Sequence, residues 1–209
     1  MLPEEIKTID DSQKFIFKEK SSEFIAEVFP TSSEDDAMVP LLSLKKRYFD
    51  ATHHCFAYKI HQGLEKYSDD GEPRGSAGIR ILNAINHFDL TDLILIVTRY
   101  FGGTKLGVGP LGKAYYNASI GALEKSKIIT LELFQQITIV SDYENISIVH
   151  RFIDEYKAKI VKSEFSQLAK FVCNIKPAFL QNICLELKNS GNGKISVSVS
   201  EKFTYEKNN

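Results

Sequence analysis

Three short stretches concentrate the side chains that could do chemistry: Ala51-Thr-His-His-Cys-Phe-Ala-Tyr58, Ser68-Asp-Asp-Gly-Glu-Pro-Arg-Gly75 and Thr98-Arg-Tyr-Phe-Gly-Gly-Thr-Lys-Leu-Gly107. In the third, Gly102 and Gly103 open backbone conformations closed to other residues. With Arg99, Lys105 and Lys113 nearby in sequence, exposed N–H groups there could form a concavity for anions. A helix beginning at Gly109–Pro110 would add its positive end. The ligand class is then a phosphate, a nucleotide or a nucleic-acid backbone. Tyr100 and Phe101 beside these cations suit base stacking. The competing reading is a tight strand-to-helix turn with solvated lysines. Tyr115 and Tyr116 fall within a helix and fit a core equally well.

Asp69, Asp70 and Glu72 admit two readings. Carboxylates can do acid/base work when one has a perturbed pKa and reaches a substrate proton. An Asp-Asp-Gly run can also be a turn whose carboxylates hold local N–H groups. His53, His54, Cys55 and His61 invite a metal, but strand alternation lets His53 and Cys55 share a face and excludes His54. Two ligands do not close a zinc site, which usually needs four. The expectation is a partly buried cysteine and a hydrogen-bonded histidine, with no metal and no cofactor. Gly107-Val-Gly-Pro-Leu-Gly-Lys113 matches most of a phosphate-binding loop but fails at Ala114, where Ser or Thr would hold Mg²⁺. No Gly-x-Ser-x-Gly elbow is present.

These stretches need strands and helices to hold them. Phe15 and Phe17, then Phe24 to Val28, read as two strands joined by the polar turn Lys20–Glu23. Residues 31–49 read as a helix capped by Ser32 or Ser33, with Glu34, Asp35 and Asp36 in its first turn. Met38, Leu41, Leu42, Lys45 and Phe49 recur in it at helical spacing. Cys55–Ile60 reads as a strand, and Tyr67–Ser76 as a loop. Ser76 can cap a helix from Ala77 to about Phe88. Residues 92–99 read as a strand buried on both faces. Pro110 suits the first turn of a helix to about Ser126. Beyond residue 131 the order becomes strand (137–140), helix (144–156), strand (160–165), strand (170–175), helix (177–188), strand (195–199). That is the ferredoxin-like βαββαβ order. The tail Glu206–Asn209 is expected to fray.

The 209 residues, 43% hydrophobic and 25% charged, describe an ordinary globular chain with enough apolar material for a core. A net charge of −1 gives no global field for nucleic acid, so such contact needs a local patch. Three widely spaced cysteines suggest free thiols and a reducing compartment. The acidic opening MLPEEIKTIDDSQ lacks the basic and apolar regions of a signal peptide. Apolar runs such as Leu93–Val97 fall well short of the ~20 residues a membrane span needs. A cytoplasmic protein with no membrane attachment is expected.

Tyr67-Ser-Asp-Asp-Gly-Glu-Pro73, Gly75-Ser-Ala-Gly78, the 98–107 run and the 51–58 run together resemble the signature of the IMPACT/YigZ family in its bacterial two-domain form. The matching positions are His53, Cys55, Asp69, Asp70, Gly71, Glu72, Pro73, Gly75, Arg99, Tyr100, Gly102, Gly103, Lys105 and Gly107. The chain departs from the family pattern at His54, Arg74, Pro110 and Gly112-Lys113.

The resemblance implies an α+β protein. Its residues 1–131 would have the fold of ribosomal protein S5 domain 2, and residues 132–209 would form the ferredoxin-like domain. It also implies a regulator of translation or stress response rather than an enzyme, since the eukaryotic relative dampens an amino-acid-starvation kinase by competing for its activator. The expected partners are RNA, the ribosome or a translation-associated protein, and a phosphate-bearing ligand is compatible. The binding groove would use His53, Asp69, Asp70, Glu72, Arg99, Tyr100, Gly102, Gly103, Lys105 and Lys113. The alternative is an enzyme acting on a phosphorylated or nucleotide-like small molecule.

Overall fold

A short strand, β1 (Glu5–Ile9), precedes a hairpin of β2 (Gln13–Glu19) and β3 (Ser22–Pro30), in which Glu19 pairs with Ser22. The two-residue loop Lys20-Ser21 has φ of +44° and +66°. Two left-handed residues in a row give the turn whose twist matches that of the flanking strands. The computed structural model describes residues 2–61 and 63–207.

Helix α1 (Glu34–Arg47) is shorter at both ends than the 31–49 expected. The Ser33 hydroxyl accepts from the Asp36 N–H at 3.1 Å, which caps the first turn. Pro40 lies inside the helix and has no N–H to give the Asp36 carbonyl. The core stripe is Ala37, Leu41 and Leu44. Leu42 and Phe49, counted in the same helical pattern, face solvent instead.

β4 (His53–Ile60) and β5 (Leu64–Ser68) are followed by α2 (Gly78–His87), β6 (Leu93–Tyr100) and α3 (Val108–Glu124). β5 was not anticipated, because its Leu-Glu-Lys-Tyr-Ser carries charge at an exposed edge and shows no apolar face. The sheet order is β2-β3-β6-β4-β5, antiparallel throughout. β6 lies at its centre and is buried on both faces, as its aliphatic run requires. Leu93, Leu95 and Val97 meet the core beneath α2 and α3, together with Phe24, Ala26, Cys55 and Ala57. Ile94 and Ile96 meet α1 with Phe56, Tyr58 and Ile60.

Contacts divide the chain into two compact units, one of Leu2 with Ile6–Thr130 and one of Pro3–Glu5 with the chain from Leu131 onward. The second unit contains β7 (Ile128–Ser141, mostly beyond the division), α4 (Ile146–Glu155), β8 (Lys159–Phe165), β9 (Ala169–Ile175), α5 (Leu180–Ser190) and β10 (Ser196–Lys207). Its strands run β10-β7-β9-β8. Ile137, Ile139, Phe171, Cys173 and Ile175 pack on Val149, Phe152, Ile153, Ile183 and Leu187 of the two helices. β10 does not stop at residue 199. It crosses an irregularity between Val199 and Phe203 and continues to Lys207. Glu206 and Lys207 of the expected frayed tail are therefore paired, and Asn208 and Asn209 lie outside the described residues. The cysteines are free thiols, with Cys55 and Cys173 buried. Among the described residues no helix is long and apolar enough to cross a membrane.

Candidate functional site

Strand register decides which of the reactive residues meet. Arg99 of β6 stands opposite Phe24 of β3 and opposite His53 of β4. Arg99, His53 and Cys55 therefore share the face that looks toward α2 and α3, and His54 falls on the α1 face.

The loop after β5 folds back onto this face. Asp69-Asp-Gly-Glu72 is a β-turn closed by the Glu72 N–H donating to the Asp69 carbonyl at 2.9 Å. Asp70 and Gly71 at its centre have φ of +41° and +89°, so the Asp-Gly pair supplies the left-handed backbone the turn needs. Asp69 caps α2. Its Oδ1 accepts from the Ala77 and Gly78 N–H groups at 3.0 and 2.8 Å, and its Oδ2 from Gly75 at 2.8 Å. This corrects the expectation that Ser76 is the cap. The Ser76 hydroxyl donates to the Pro73 carbonyl at 2.6 Å instead. A full carboxylate also suits the positive end of the helix better than a hydroxyl does. Asp70 ties the loop to the sheet. Its Oδ2 accepts from the His54 N–H at 2.7 Å, and its Oδ1 lies 3.2 Å from Lys45 Nζ.

Beneath the turn lies a buried polar cluster. Arg99 Nη1 donates to Glu72 Oε1 at 2.6 Å, and both side chains are almost fully buried. The Tyr115 hydroxyl donates to the same oxygen at 2.8 Å. The Cys55 thiol lies 3.3 Å from that hydroxyl and 3.0 Å from the Asp69 carbonyl. The Arg99 guanidinium is flanked by the Phe24 and Phe101 rings at 5.3 and 5.5 Å. Burial pushes the Cys55 thiol and the Tyr115 hydroxyl far up, with neighbouring carboxylates adding to the effect on Cys55. Neither is an available nucleophile, because reactivity needs the deprotonated form. His53 Nδ1 is 2.8 Å from the Asp70 carbonyl. A carbonyl only accepts, so this nitrogen carries a proton, and the ring's other nitrogen, Nε2, lies 3.8 Å from Glu72 Oε2.

The glycines of the third stretch do different jobs. A Cβ on Gly102 would run into the Ser21 backbone, so this position lets the β2–β3 turn lie directly on the chain leaving β6. Gly103 has φ of +84° and open space around it. Tyr100 donates its hydroxyl to Asp50 at 2.8 Å, and partial burial together with that bond pushes it up to about 12. Of the expected groove residues, His53, Asp70, Glu72 and Arg99 thus converge under one turn. Lys105 and Lys113 stay at the surface.

Lys113 borders a cavity of about 300 Å³ between α2 and α3, lined also by Arg80, Asn83, Gly109, Gly112 and Tyr116. No carboxylate lines it. A Cβ on Gly112 would sit 3.2 Å from Arg80 Nε, so the bare helix surface there gives the guanidinium room. The adjoining α3 N-terminus at Gly107 has no side-chain cap and no acidic residue in its first turn. Arg80 and Asn83 were not anticipated as site residues, and Tyr115, weighed between base stacking and the core, is buried on Glu72. Arg80 and Asn83 could have been found, since they stand three apart on the helix face opposite Ile81, Leu82 and Ile85. Nothing in the local pattern marks Tyr115 as a partner of Glu72. Among the described residues no three His, Cys, Asp or Glu side chains gather as metal ligands.

Residues 20–123, which include all of these positions, match the Impact N-terminal domain. An IMPACT family member of Thermus thermophilus is 30% identical over 165 residues, covering 79% of this chain and 90% of that protein. The chain belongs to the IMPACT family. IMPACT family member YvyE of Bacillus subtilis is 28% identical over 190 residues, covering 90% of this chain and 88% of the relative. A crystal structure of a hypothetical protein, 23% identical, superposes at a TM-score of 0.74 over 96% of this chain and 100% of its own. The similarity to the Bacillus subtilis relative, over 90% of this chain, extends into both units.

Proposed function

We propose that this IMPACT-family chain is a non-enzymatic regulator of translation or stress response that holds RNA, in free form or on the ribosome, on the α2–α3 face of its first unit. The observation that carries the reading is the cavity bordered by Arg80 and Lys113 with no carboxylate in its lining. In a chain of net charge −1, a local cationic patch beside an uncapped helix N-terminus is the arrangement that phosphates select. Arg99 is already neutralised by Glu72, so it positions the loop rather than meeting the ligand. In this reading the first unit is an S5 domain 2-like fold. The second is ferredoxin-like, which its strand order β10-β7-β9-β8 supports.

The test is fluorescence anisotropy with labelled single-stranded RNA, alongside co-sedimentation with ribosomes, across a salt series. Binding should weaken steeply with salt, and each of Arg80→Ala, Lys105→Ala and Lys113→Ala should lower the log–log slope by ~1. Binding that ignores salt and all three substitutions would overturn it. A second reading, a phosphorylated or nucleotide-like small molecule, is favoured by the volume alone, which is at the ~300 Å³ lower end for small-ligand sites. A thermal-shift screen of nucleotides and sugar phosphates decides it, since a tight ligand raises the melting temperature by mass action.

A further inference from the structure

Helix α1 turns apolar side chains in two directions. Ala37, Leu41 and Leu44 enter the core, while Val39 and Leu42 are 66% and 60% exposed on another side. Phe49, two residues past the helix end, is 84% exposed. Asp35, Val39, Leu42 and Lys46 follow one another at spacings of four, three and four, which puts them in one stripe along the helix. Asp35 and Lys46 are exposed and have no ion pair or hydrogen bond among the described residues. Their neighbours at the two charged ends are all engaged. Glu34 pairs with Lys66, Asp36 with the Ser33 hydroxyl, Lys45 with Asp70 and Arg47 with Glu27. The two unpaired charges of the helix are thus the two that cap its exposed apolar stripe, with opposite signs at opposite ends.

We propose that this stripe is a homodimer interface in which α1 packs antiparallel on α1 of a second copy. The pattern is self-complementary about a two-fold axis. Pairing Val39 with Leu42 of the other copy also brings Asp35 onto its Lys46, and the symmetry repeats both pairs, as an isologous interface requires. The same register carries each Phe49 beyond the N-terminal end of the opposite helix. Beside that half of α1 lies a groove of about 520 Å³, whose apolar wall of Phe29, Pro30, Val39 and Pro40 can meet an aromatic ring and whose remaining border is Ser12, Asp36 and Ser43. A different partner helix would have no reason to match both the sign order and the spacing of this one.

A contact of about four helical turns is at the small end of specific interfaces, so the dimer is reversible and concentration-dependent. Sedimentation velocity of the full chain, from micromolar to near-millimolar concentration, should show monomer converting to dimer. Asp35→Lys and Lys46→Asp should each weaken self-association by ~10-fold or more, because every cross-helix charge contact becomes like-signed. The two variants mixed in equal amounts should associate with each other, and the double variant should recover the wild-type dimer. Leu42→Lys should remove it. Circular dichroism and melting temperature verify that each variant is folded, and the mixing result does not depend on either variant alone. A wild-type chain that stays monomeric throughout, or a dimer indifferent to both charge reversals, overturns the proposal.

Discussion

Arg99 and Lys105 stand six residues apart in one motif, and their surroundings differ in every respect that governs a charge. The Arg99 guanidinium lies under a turn and between two aromatic rings, with Glu72 at 2.6 Å. Lys105 is in water and, like Lys113, has no partner among the described residues. A buried pair stabilises only while it is complete, because removing one member leaves a desolvated charge behind. A surface lysine contributes little to folding and keeps its charge available for a ligand. One motif therefore contains a cation that holds the fold and another that remains free for binding.

The sharpest way to break that comparison is Glu72→Ala. It leaves Arg99 buried without its counter-ion and Tyr115 without its acceptor. Urea unfolding should show a loss of ~3–5 kcal/mol. Replacing Arg99 with Met as well should recover much of this, and a double variant no more stable than Glu72→Ala would place the cost elsewhere. Gly102→Ala should come next, at ~1–3 kcal/mol, because the added Cβ meets rigid hairpin backbone rather than a movable side chain. Thermal melts of Gly102→Ala and Gly103→Ala compare crowding with positive-φ strain alone, and the first should melt lower.

A smaller effect is confined to acid. Burial holds the His54 imidazole below its ordinary value. The folded chain then binds fewer protons than the unfolded one, so this term is fully present above the usual histidine pKa of about 6.5 and is lost as pH falls below it. Urea midpoints measured from pH 7.5 to 5.5 should decline, and His54→Phe should flatten the slope. The smallest effect on folding belongs to Lys105→Ala and Lys113→Ala. Each should change stability by less than ~0.5 kcal/mol while altering the salt dependence of RNA binding. A lysine variant that unfolds the chain, or a Glu72 variant that does not, would erase the distinction between the two regions.

Much of this arrangement was legible in the residues. The aliphatic run at Leu93–Val97 announced a strand covered on both faces, and Asp70-Gly71 announced a turn. Strand alternation separated His54 from His53 and Cys55. What local pattern could not supply was partnership across the sheet. Whether Arg99 faces water or Glu72 depends on the β4–β6 register and on where the loop after β5 lands, and both are set by contacts distant in sequence. The same limit explains Ser76. A cap reads as the polar residue beside the helix, yet the carboxylate that performs it stands eight and nine residues upstream of the N–H groups it binds. β5 and the end of β10 were invisible because edge strands need no apolar alternation.

The strand order β2-β3-β6-β4-β5 has a consequence for synthesis. The central strand is the last of the five to be made. Until Tyr100 has been added, the nascent chain holds two separate hairpins, each of the two-stranded kind that is only marginally stable in water. The inner edges of β3 and β4 are then open to any strand that meets them. Arrival of β6 closes both edges at once and joins segments some seventy residues apart. A nascent chain whose β6 has not yet left the ribosome would therefore display an aggregation-prone intermediate, and one whose β6 has emerged can pair all five strands.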